Sequence, residues 1–393
     1  MLAGDQKKKQ DSRFHLMLVS SSHIIGGYET RLENIKRGLD PGRFKVTGLQ
    51  AYPLYKAHTV PSKQRAAYRE RLLTPVVGEE IIEVALRNQW DVRGIIGIFR
   101  VFLREKPDAV LFFGMGMITF GVPVLARMAG VKHLIRTSGT VLDGVYPRGF
   151  RFLDRLCTKL TEIIVVPSAF LSREIQRVLR APAKKIIVIP NGIRLKRFEP
   201  MESPHEARRE LGLPDTVKVV GIVANLTPAK SHRLLFDSFR RVLQTESQVF
   251  LLVVGDGHLR SELESYVQAL GIEKRVRFLG FRSDLKRVIP AFDVGVSSSS
   301  VETFGNAIVQ MMVCGIPVVS TDVGAISEII HHGREGLLVP YGDAEALAEA
   351  ILHLLHHEEE ARAIGLRGQE LARSRYSSKA MIEKLESLLL SLG

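Results

Sequence analysis

Cysteines and metal-binding patterns are scarce in this sequence of 393 residues. Its two cysteines, Cys157 and Cys314, stand far apart and show neither a disulfide framework nor the spacing of a zinc site. Their scarcity favours a reducing compartment, so a cytoplasmic location is expected. No D-x-D pattern follows the end of a predicted strand, and no metal ion is therefore expected.

Secretory and membrane-spanning patterns are also lacking. Lys7, Lys8 and Lys9 precede only the short apolar stretch 14–19, which is too brief for the apolar region of a signal peptide. Residues 109–126 carry no charge over 18 residues, the lower limit for a membrane span. Because this segment contains three glycines and a proline, a buried strand, a glycine turn and the start of a helix explain it better.

Charge is distributed unevenly along the chain. The net charge is +13, yet residues 1–195 hold 32 Lys and Arg against 16 Asp and Glu, whereas residues 196–393 hold 23 against 26. A basic half usually meets an anionic partner, such as a membrane surface, a phosphorylated lipid or nucleic acid. A solvated basic surface without a partner is the alternative.

The segment 55–106 concentrates this basic character and has a helical pattern. Apolar residues such as Ile96 and Phe99 are interleaved with its basic residues. A basic amphipathic surface can dock on anionic lipid, while packing onto its own domain explains the apolar residues equally well. Its basic residues include Lys56, Lys63, Arg65, Arg69, Arg71, Arg87, Arg93, Arg100 and Arg104.

Short apolar runs alternate with longer amphipathic segments, such as 29–39 and 150–160, along the whole chain. This alternation predicts an α/β protein with parallel sheets covered on both faces, and the length suits two domains. The pattern restarts after a break near 193–203. The predicted strands are 14–20, 45–50, 109–113, 132–137, 162–168 and 185–190, then 217–224, 249–255, 276–280, 294–299, 317–321 and 336–340.

The block 297–319 carries the clearest chemical signal. A strand ends in serines, a loop holds Glu302, and a helix is predicted to start around 303–306. Gly305 lets the backbone approach a ligand, and the free N–H groups of a helix N-terminus suit a diphosphate. Gln310 lies one turn into the helix, where it could reach a ribose while Glu302 reaches a sugar.

This block resembles the E-x7-E region of the family-four retaining glycosyltransferases, which have the GT-B fold of two Rossmann-like domains facing across a cleft. The first family glutamate falls on Glu302 and the second on Gln310. Gln still hydrogen-bonds a hydroxyl but loses the charge-assisted bond.

Other segments follow the same family in order. They are 188–193 at the domain junction, the glycine turn 254–264, the base-binding segment 280–285, and 320–330 with 336–343, where the usual second glycine is Ala325. The resemblance implies that the donor contacts are Gly27, Asn225, Lys230, Gly255, Gly257, Phe281, Glu302, Thr303, Phe304, Gly305, Asn306 and Gln310.

The sequence departs from the family pattern near the donor diphosphate. The family's Arg and Lys pair becomes Asn225 and Lys230, and a cleft histidine of the first domain is replaced by Ser138 or Gly139. The resemblance implies retention of configuration without a carboxylate nucleophile, so that Glu302 and Lys230 are the expected catalytic residues.

The resemblance also predicts the division of labour. Residues 1–196 would bind the acceptor, 197–376 the nucleotide-sugar, and the helix in 377–393 would pack back on the first domain. We expect transfer from a UDP- or GDP-sugar to a glycan or lipid-linked acceptor in bacterial surface polysaccharide assembly, peripheral on the inner face of the membrane. No cofactor is expected, because the nucleotide-sugar is a substrate.

Three alternatives remain at this point. One is a partner-dependent or non-catalytic GT-B relative, to which Asn225 and Gln310 point, and another is a UDP-sugar epimerase of the same fold. Nucleic-acid binding would explain the charge, but the motifs that read a groove are absent. Residues 114–121 do not fit a dinucleotide-binding fingerprint, because their third glycine comes too late.

Overall fold

The protein contains two parallel β-sheets flanked by helices, which confirms the predicted α/β class. The computed structural model describes residues 12–20, 27–53, 80–86, 91–113, 117–139, 148–199 and 201–393. Most of the basic segment 55–106, namely 55–79 and 87–90, lies outside these described residues.

The first sheet has the strand order β3-β2-β1-β4-β5-β6-β7. Its central strands β1 and β4 are rich in Val, Leu and Phe and are buried almost completely, as parallel strands covered on both faces require. The strands are β1 Phe14–Ser20, β2 Phe44–Pro53, β3 Glu80–Leu86, β4 Ala109–Phe113, β5 His133–Thr137, β6 Ile163–Val166 and β7 Ile186–Val188.

Strand β3 corrects the sequence analysis, which treated the whole of 55–106 as helical. Its sequence EIIEVAL contains three β-branched residues, and it pairs in parallel with β2 along its full length. The segment 109–126 forms strand β4 and most of a helix, with 114–116 undescribed between them. Among the described residues, no helix is long and apolar enough to cross a membrane.

The helices of this part are α1 Gly27–Gly38, α2 Val92–Glu105, α3 Met117–Met128, α4 Arg148–Leu160 and α5 Ala169–Leu179. The connections β3 to β4, β4 to β5 and β5 to β6 all run in one direction along the sheet, whereas β1 to β2 runs in the other. Because parallel crossovers are right-handed, α2, α3 and α4 cover one face and α1 the opposite face. Contacts of α3 with both α2 and α4 make these three helices one layer.

The second sheet has the order β10-β9-β8-β11-β12-β13, which reverses direction between β8 and β11. Its strands are β8 Lys218–Val223, β9 Val249–Val254, β10 Val276–Gly280, β11 Val294–Ser297, β12 Val318–Thr321 and β13 Leu337–Val339. Its helices are α6 Pro204–Glu210, α7 His232–Thr245, α8 Arg260–Ala269, α9 Asn306–Val313, α10 Ala344–His356, α11 Glu358–Arg375 and α12 Ser378–Leu390. One core packs α9 and α11 on one face of the sheet, and a second packs α7, α8 and α10 on the other.

The chain divides into two compact units. The first comprises the described residues within Met1–Ser138, Arg148–Ile164 and Glu386–Gly393, and the second those within Gly139–Pro147 and Val165–Leu385. In the first unit, the Glu386 carboxylate accepts a hydrogen bond from the Asp40 N–H. These units are defined by contacts between residues and do not test function. The acceptor range 1–196, the donor range 197–376 and the packing of 377–393 therefore stay predictions.

Candidate functional site

The candidate site lies in the second unit, at the carboxyl ends of β8 and β11, where the strand order reverses. Loops that leave neighbouring strands in opposite directions open a crevice there, the usual ligand position in open α/β sheets. The loop after β8 carries Lys230 and the loop after β11 carries Glu302. The structure therefore brings together the two residues that the sequence analysis selected as catalytic.

Lys230 and Glu302 form an ion pair. Lys230 ends the short 3₁₀ turn Pro228–Lys230, and its Nζ donates to Glu302 Oε1 at 2.5 Å. Both side chains are partly buried, with 27% of the lysine and 13% of the glutamate side chain exposed. Partial burial reduces solvent screening, so each charge fixes the position of the other more strongly than on an open surface.

A network of serine hydroxyl groups holds this pair in place. Ser299 Oγ donates to Glu302 Oε1 at 2.8 Å, and Ser298 Oγ donates to the carbonyl of Lys230 at 2.9 Å. The Ser300 N–H donates to the carbonyl of Ala229. The sequence analysis noted only that a strand ends in serines, although an uninterrupted run of four serines is itself a signal that one loop is pinned to another.

The backbone beyond Glu302 is fixed by a second loop. Ala325 N–H donates to the carbonyl of Glu302 at 2.9 Å, and a side chain at Gly324 would place its Cβ only 2.1 Å from that carbonyl oxygen. Ala325, which occupies the usual place of a second glycine, is fully buried. Its N–H group donates this hydrogen bond without needing the conformational freedom of glycine.

Helix α9 begins at Asn306, within the predicted range, and Gly305 precedes it with φ +91°. Because its N-cap residue is a glycine and provides no side-chain cap, the first N–H groups of the helix can bind an anion. Phe304 is buried against the ring of Tyr376, with centroids 5.5 Å apart, and can therefore contribute only through its backbone. Gln310 lies one turn along α9 and is half-buried.

Side chains from the first half of the sequence anchor this same loop. Thr303 Oγ1 donates to the carbonyl of Gly139, and Ser168 Oγ donates to the carbonyl of Thr303, both at 2.7 Å. Asn191 Nδ2 donates to Asn306 Oδ1 at 3.2 Å. The polar side chains of Thr303 and Asn306 thus have protein partners, and the donor contacts predicted for these two residues stay predictions. Ser168 and Asn191 were not selected at all.

The glycine turn after β9 packs against the loop after β8. A Cβ on Gly255 would lie 1.8 Å from the carbonyl oxygen of Ala224, and one on Gly257 would lie 2.4 Å from that of Leu226. Asn225, which is exposed, lies between these two contacts. The glycines therefore have a structural reason to be there, whether or not they contact a nucleotide.

The remaining predicted contacts fall at the edges of this site or outside the unit. Phe281 directly follows β10, and the carbonyl of Gly280 accepts from the Gly255 N–H at 2.9 Å, so this segment adjoins the glycine turn. Gly27 begins α1 in the first unit. Ser138 is buried at the end of β5, and Gly139 contributes its carbonyl to Thr303.

Two buried titratable groups of the second unit, His232 and Cys314, have large pKa shifts. Burial, reinforced by the charge of Lys230, lowers the pKa of His232 to about 4, and neither ring nitrogen has a hydrogen-bond partner among the described residues. Burial raises the pKa of the Cys314 thiol to about 12, which makes it a poor nucleophile. Within the part of the chain that the structure describes, no group of three His, Cys, Asp or Glu could hold a metal ion. The expectation of metal-free chemistry stays a prediction.

Comparison with known proteins gives two family models that match successive parts of the chain. Residues 25–197 match the family model described as Glycosyltransferase Family 4, and residues 217–357 match the one described as Glycosyl transferases group 1. The chain is 24% identical over 339 residues to the N-acetyl-alpha-D-glucosaminyl L-malate synthase of Bacillus anthracis, covering 86% of this chain and 84% of that one.

Two further proteins are informative. The chain is 24% identical over 274 residues to the UDP-Gal:alpha-D-GlcNAc-diphosphoundecaprenol alpha-1,3-galactosyltransferase of Escherichia coli, covering 67% of this chain and 70% of the relative. The crystal structure of Anabaena Alr3699/HepE in complex with UDP and glucose superposes with a TM-score of 0.82 at 20% identity, covering 96% of this chain and all of that one. This superposition shows the same fold.

Proposed function

Because the chain belongs to the family 4 glycosyltransferases and has the GT-B fold, we propose that it transfers a sugar from a UDP- or GDP-sugar to a glycan or lipid-linked acceptor, with retention of anomeric configuration. The observation that carries this proposal is the Lys230–Glu302 pair beside the uncapped N-terminus of α9.

In the proposed mechanism, Lys230 and the first N–H groups of α9 stabilise the charge that develops on the leaving diphosphate. Lys230 exchanges its contact with Glu302 for one with a phosphate oxygen when the donor binds. Glu302, still held by Ser299, then accepts hydrogen bonds from hydroxyl groups of the transferred sugar. The acceptor hydroxyl attacks on the face from which the diphosphate departs, and the departing phosphate takes its proton. No protein nucleophile takes part in this scheme.

The proposed nucleotide is UDP, with GDP as the alternative. The Anabaena protein of the same fold was crystallised in complex with UDP and glucose, which supports this choice. The backbone after β10, at Gly280 and Phe281, would receive the base, and Gln310 would bind a ribose hydroxyl. Gln310 offers a neutral hydrogen bond where a glutamate would offer a charged one, so we expect modest affinity for the nucleotide.

The proposed acceptor is a glycan or a lipid-linked sugar of surface polysaccharide assembly. The E. coli relative is named for an acceptor on diphosphoundecaprenol, which supports a lipid-linked acceptor here. The excess of basic residues in the first half, 32 against 16, supports work at an anionic membrane surface on the cytoplasmic side.

One observation favours a second candidate, a relative that needs a partner for activity. Asn225 stands exposed where the family has an arginine, and Lys230 is already neutralised by Glu302. With one cation missing from the phosphate clamp, a second protein would have to complete it. This candidate predicts no donor binding by the isolated chain.

The test is calorimetric binding of UDP, GDP, ADP and their sugar conjugates without added metal. We expect one nucleotide family to bind, and Lys230→Ala and Glu302→Ala to abolish that binding. Arg233→Ala, which removes an exposed cation three residues from Lys230, is the matched control and should bind normally. If none of the nucleotides binds, the proposal fails for the isolated chain and the partner-dependent candidate replaces it.

A further inference from the structure

The layer of α2, α3 and α4 exposes an unusual number of large apolar side chains. Elsewhere in the described residues such side chains are scattered singly, as on most proteins, but here they collect on three adjacent helices. They are Val92, Ile96 and Leu103 on α2, Val124 and Met128 on α3, and Phe152, Leu153, Leu156 and Leu160 on α4.

Helix α4 shows that this exposure is built into the fold. Its buried side carries Asp154, Cys157 and Thr158, whereas Phe152 and Leu156 point outward with 68% and 50% of their surface exposed. Asp154 is paired with Arg136 of β5 inside the unit, and Thr158 donates to the carbonyl of Asp154. The polar side is therefore fixed inward by its own partners, and the helix cannot rotate its apolar side into the core without losing them.

Helix α2 arranges its outer face in two adjoining stripes. At about 100° per residue, Val92, Ile96 and Leu103 fall within an arc of about 40°, and Arg93, Arg100 and Arg104 fall within a second arc of about 40° that begins about 40° further round the helix. Helix α3 joins this face to α4, because the Arg127 guanidinium donates to the carbonyl of Leu160 at 3.2 Å. The exposed apolar residues thus lie on three helices of one layer, in which α3 contacts both α2 and α4.

The charges of this surface are of one sign. Its described basic side chains are Arg93, Arg100, Arg104, Arg127, Arg155 and Lys159. The two acidic residues within these helices are mostly buried and paired. Glu105, with 10% of its side chain exposed, pairs with Arg104, and Asp154, with 1% exposed, pairs with Arg136. Apolar residues beside arginines, with no exposed carboxylate on the described helices, match the interface of an anionic bilayer, where the apolar side chains enter and the cations meet phosphate.

A second copy of the chain fits this surface less well. A two-fold contact would place the same arginine stripe against itself, and the described residues of the three helices offer no exposed carboxylate to pair with it. We propose that the outer face of α2, α3 and α4 is the surface by which the protein docks on an anionic membrane. This inference rests on the proposed function in one respect, because docking would bring the protein to a lipid-linked acceptor.

The experiment measures the partition coefficient of the full chain on vesicles of phosphatidylcholine alone and with phosphatidylglycerol. We expect binding to the anionic vesicles that weakens as salt is added. The variant R93Q/R100Q/R104Q should bind about a hundredfold more weakly, since each cation contributes about fivefold near an anionic surface. Its control, R240Q/R241Q/R362Q, removes the same charge from exposed positions on α7 and α11 and should bind normally.

A second pair of variants tests the apolar residues. F152S/L156S should bind about tenfold more weakly, because apolar area no longer enters the bilayer. Its control is M201S/L366S, two exposed apolar residues of the second unit. Equal partition of variants and controls, equal binding to both kinds of vesicle, or no binding at all would overturn the proposal. So would a concentration-dependent dimer that F152S/L156S abolishes, which would assign the surface to a second copy.

Nucleotide binding, measured on the same variants, separates this proposal from the proposed function. All four variants should bind the donor nucleotide as the unmodified chain does. If nucleotide binding fails in every protein while vesicle binding follows the expected order, the docking surface stands and the donor assignment does not.

Discussion

Helices α4 and α7 have nearly the same length, but α4 exposes apolar side chains that α7 would bury. Helix α7 buries Phe236 and Phe239 against the second sheet and exposes Arg233, Arg240 and Arg241. Helix α4 buries Asp154 and Thr158 and exposes Phe152 and Leu156. Both are amphipathic, so the difference teaches that an amphipathic pattern identifies two faces of a helix and that the partners inside the protein decide which of them is buried.

The largest difference in stability should appear when one phenylalanine of each helix is replaced by alanine. Phe236→Ala removes a fully buried ring and should lower the free energy of unfolding by about 3–5 kcal/mol. Phe152→Ala should change it by about 0.5 kcal/mol or less, because its ring already faces solvent. Urea unfolding of both variants measures the two values. Equal losses would mean that the outer face of α4 is buried in solution.

The polar inner face of α4 should be nearly as sensitive. Asp154→Ala leaves Arg136 as an unpaired buried charge, and we expect a loss of about 3–5 kcal/mol. The control is Glu262→Ala, which breaks the exposed pair with Arg233 of α7 and should cost about 0–1 kcal/mol. A small loss for Asp154→Ala would contradict the view that this pair holds α4 in its orientation.

The two helices also differ in how they treat a buried titratable group, since Asp154 pairs with Arg136 and His232 of α7 has no hydrogen-bond partner in the part of the chain that the structure describes. The pKa of His232 is lowered from 6.5 to about 4, so the folded protein keeps the imidazole neutral. Above pH 6.5 the imidazole is neutral in the folded and the unfolded protein alike. As the pH falls from 6.5 toward 4, the unfolded protein takes up a proton that the folded protein does not, so the folded protein loses stability. This loss amounts to about 3 kcal/mol.

His232→Phe tests this origin, because phenylalanine fills a similar volume without a proton to gain. Urea unfolding between pH 7 and pH 4 should lose a large part of its pH dependence in that variant. An unchanged pH dependence would assign the effect to other groups.

Ser299 provides a third kind of buried polar group, one whose partner belongs to the candidate site. Ser299→Ala removes the hydroxyl group that donates to Glu302 and should weaken nucleotide-sugar binding by about 1 kcal/mol, about fivefold. Ser300→Ala, whose hydroxyl donates to Ala229 and not to Glu302, is the control. Calorimetry on both variants decides. A greater effect of Ser300→Ala would show that the loop after β8 matters more than the orientation of Glu302.

Much of the fold was predictable because its signals are local. Buried parallel strands such as β4 and β8 appear in the sequence as continuous apolar runs, and the restart of the pattern indicated a second sheet. Strand β3 was missed because its EIIEVAL sequence lies among basic, helix-like segments, and its place is fixed by pairing with β2. Similarly, the pattern of 150–160 predicted a helix but could not reveal that Arg136 would draw Asp154 inward.

The candidate site was predicted in part for the same reason. Glu302, Gly305 and Lys230 belong to motifs, and the structure brings Lys230 and Glu302 into contact. The roles of Ser168, Asn191 and Ser299 depend on residues that are far away in the sequence or on how two loops meet, and no spacing shows this. Phe304 lies in a motif, yet its ring serves the core.

The contact between Gly324 and Glu302 has a consequence for the interpretation of natural variation. Any side chain at Gly324 would collide with the carbonyl of Glu302 and displace the carboxylate that Ser299 and Lys230 hold. A substitution there would disturb the predicted site at Glu302 without removing any of its side chains. A survey of variants that counted only side chains facing the crevice would classify it as harmless.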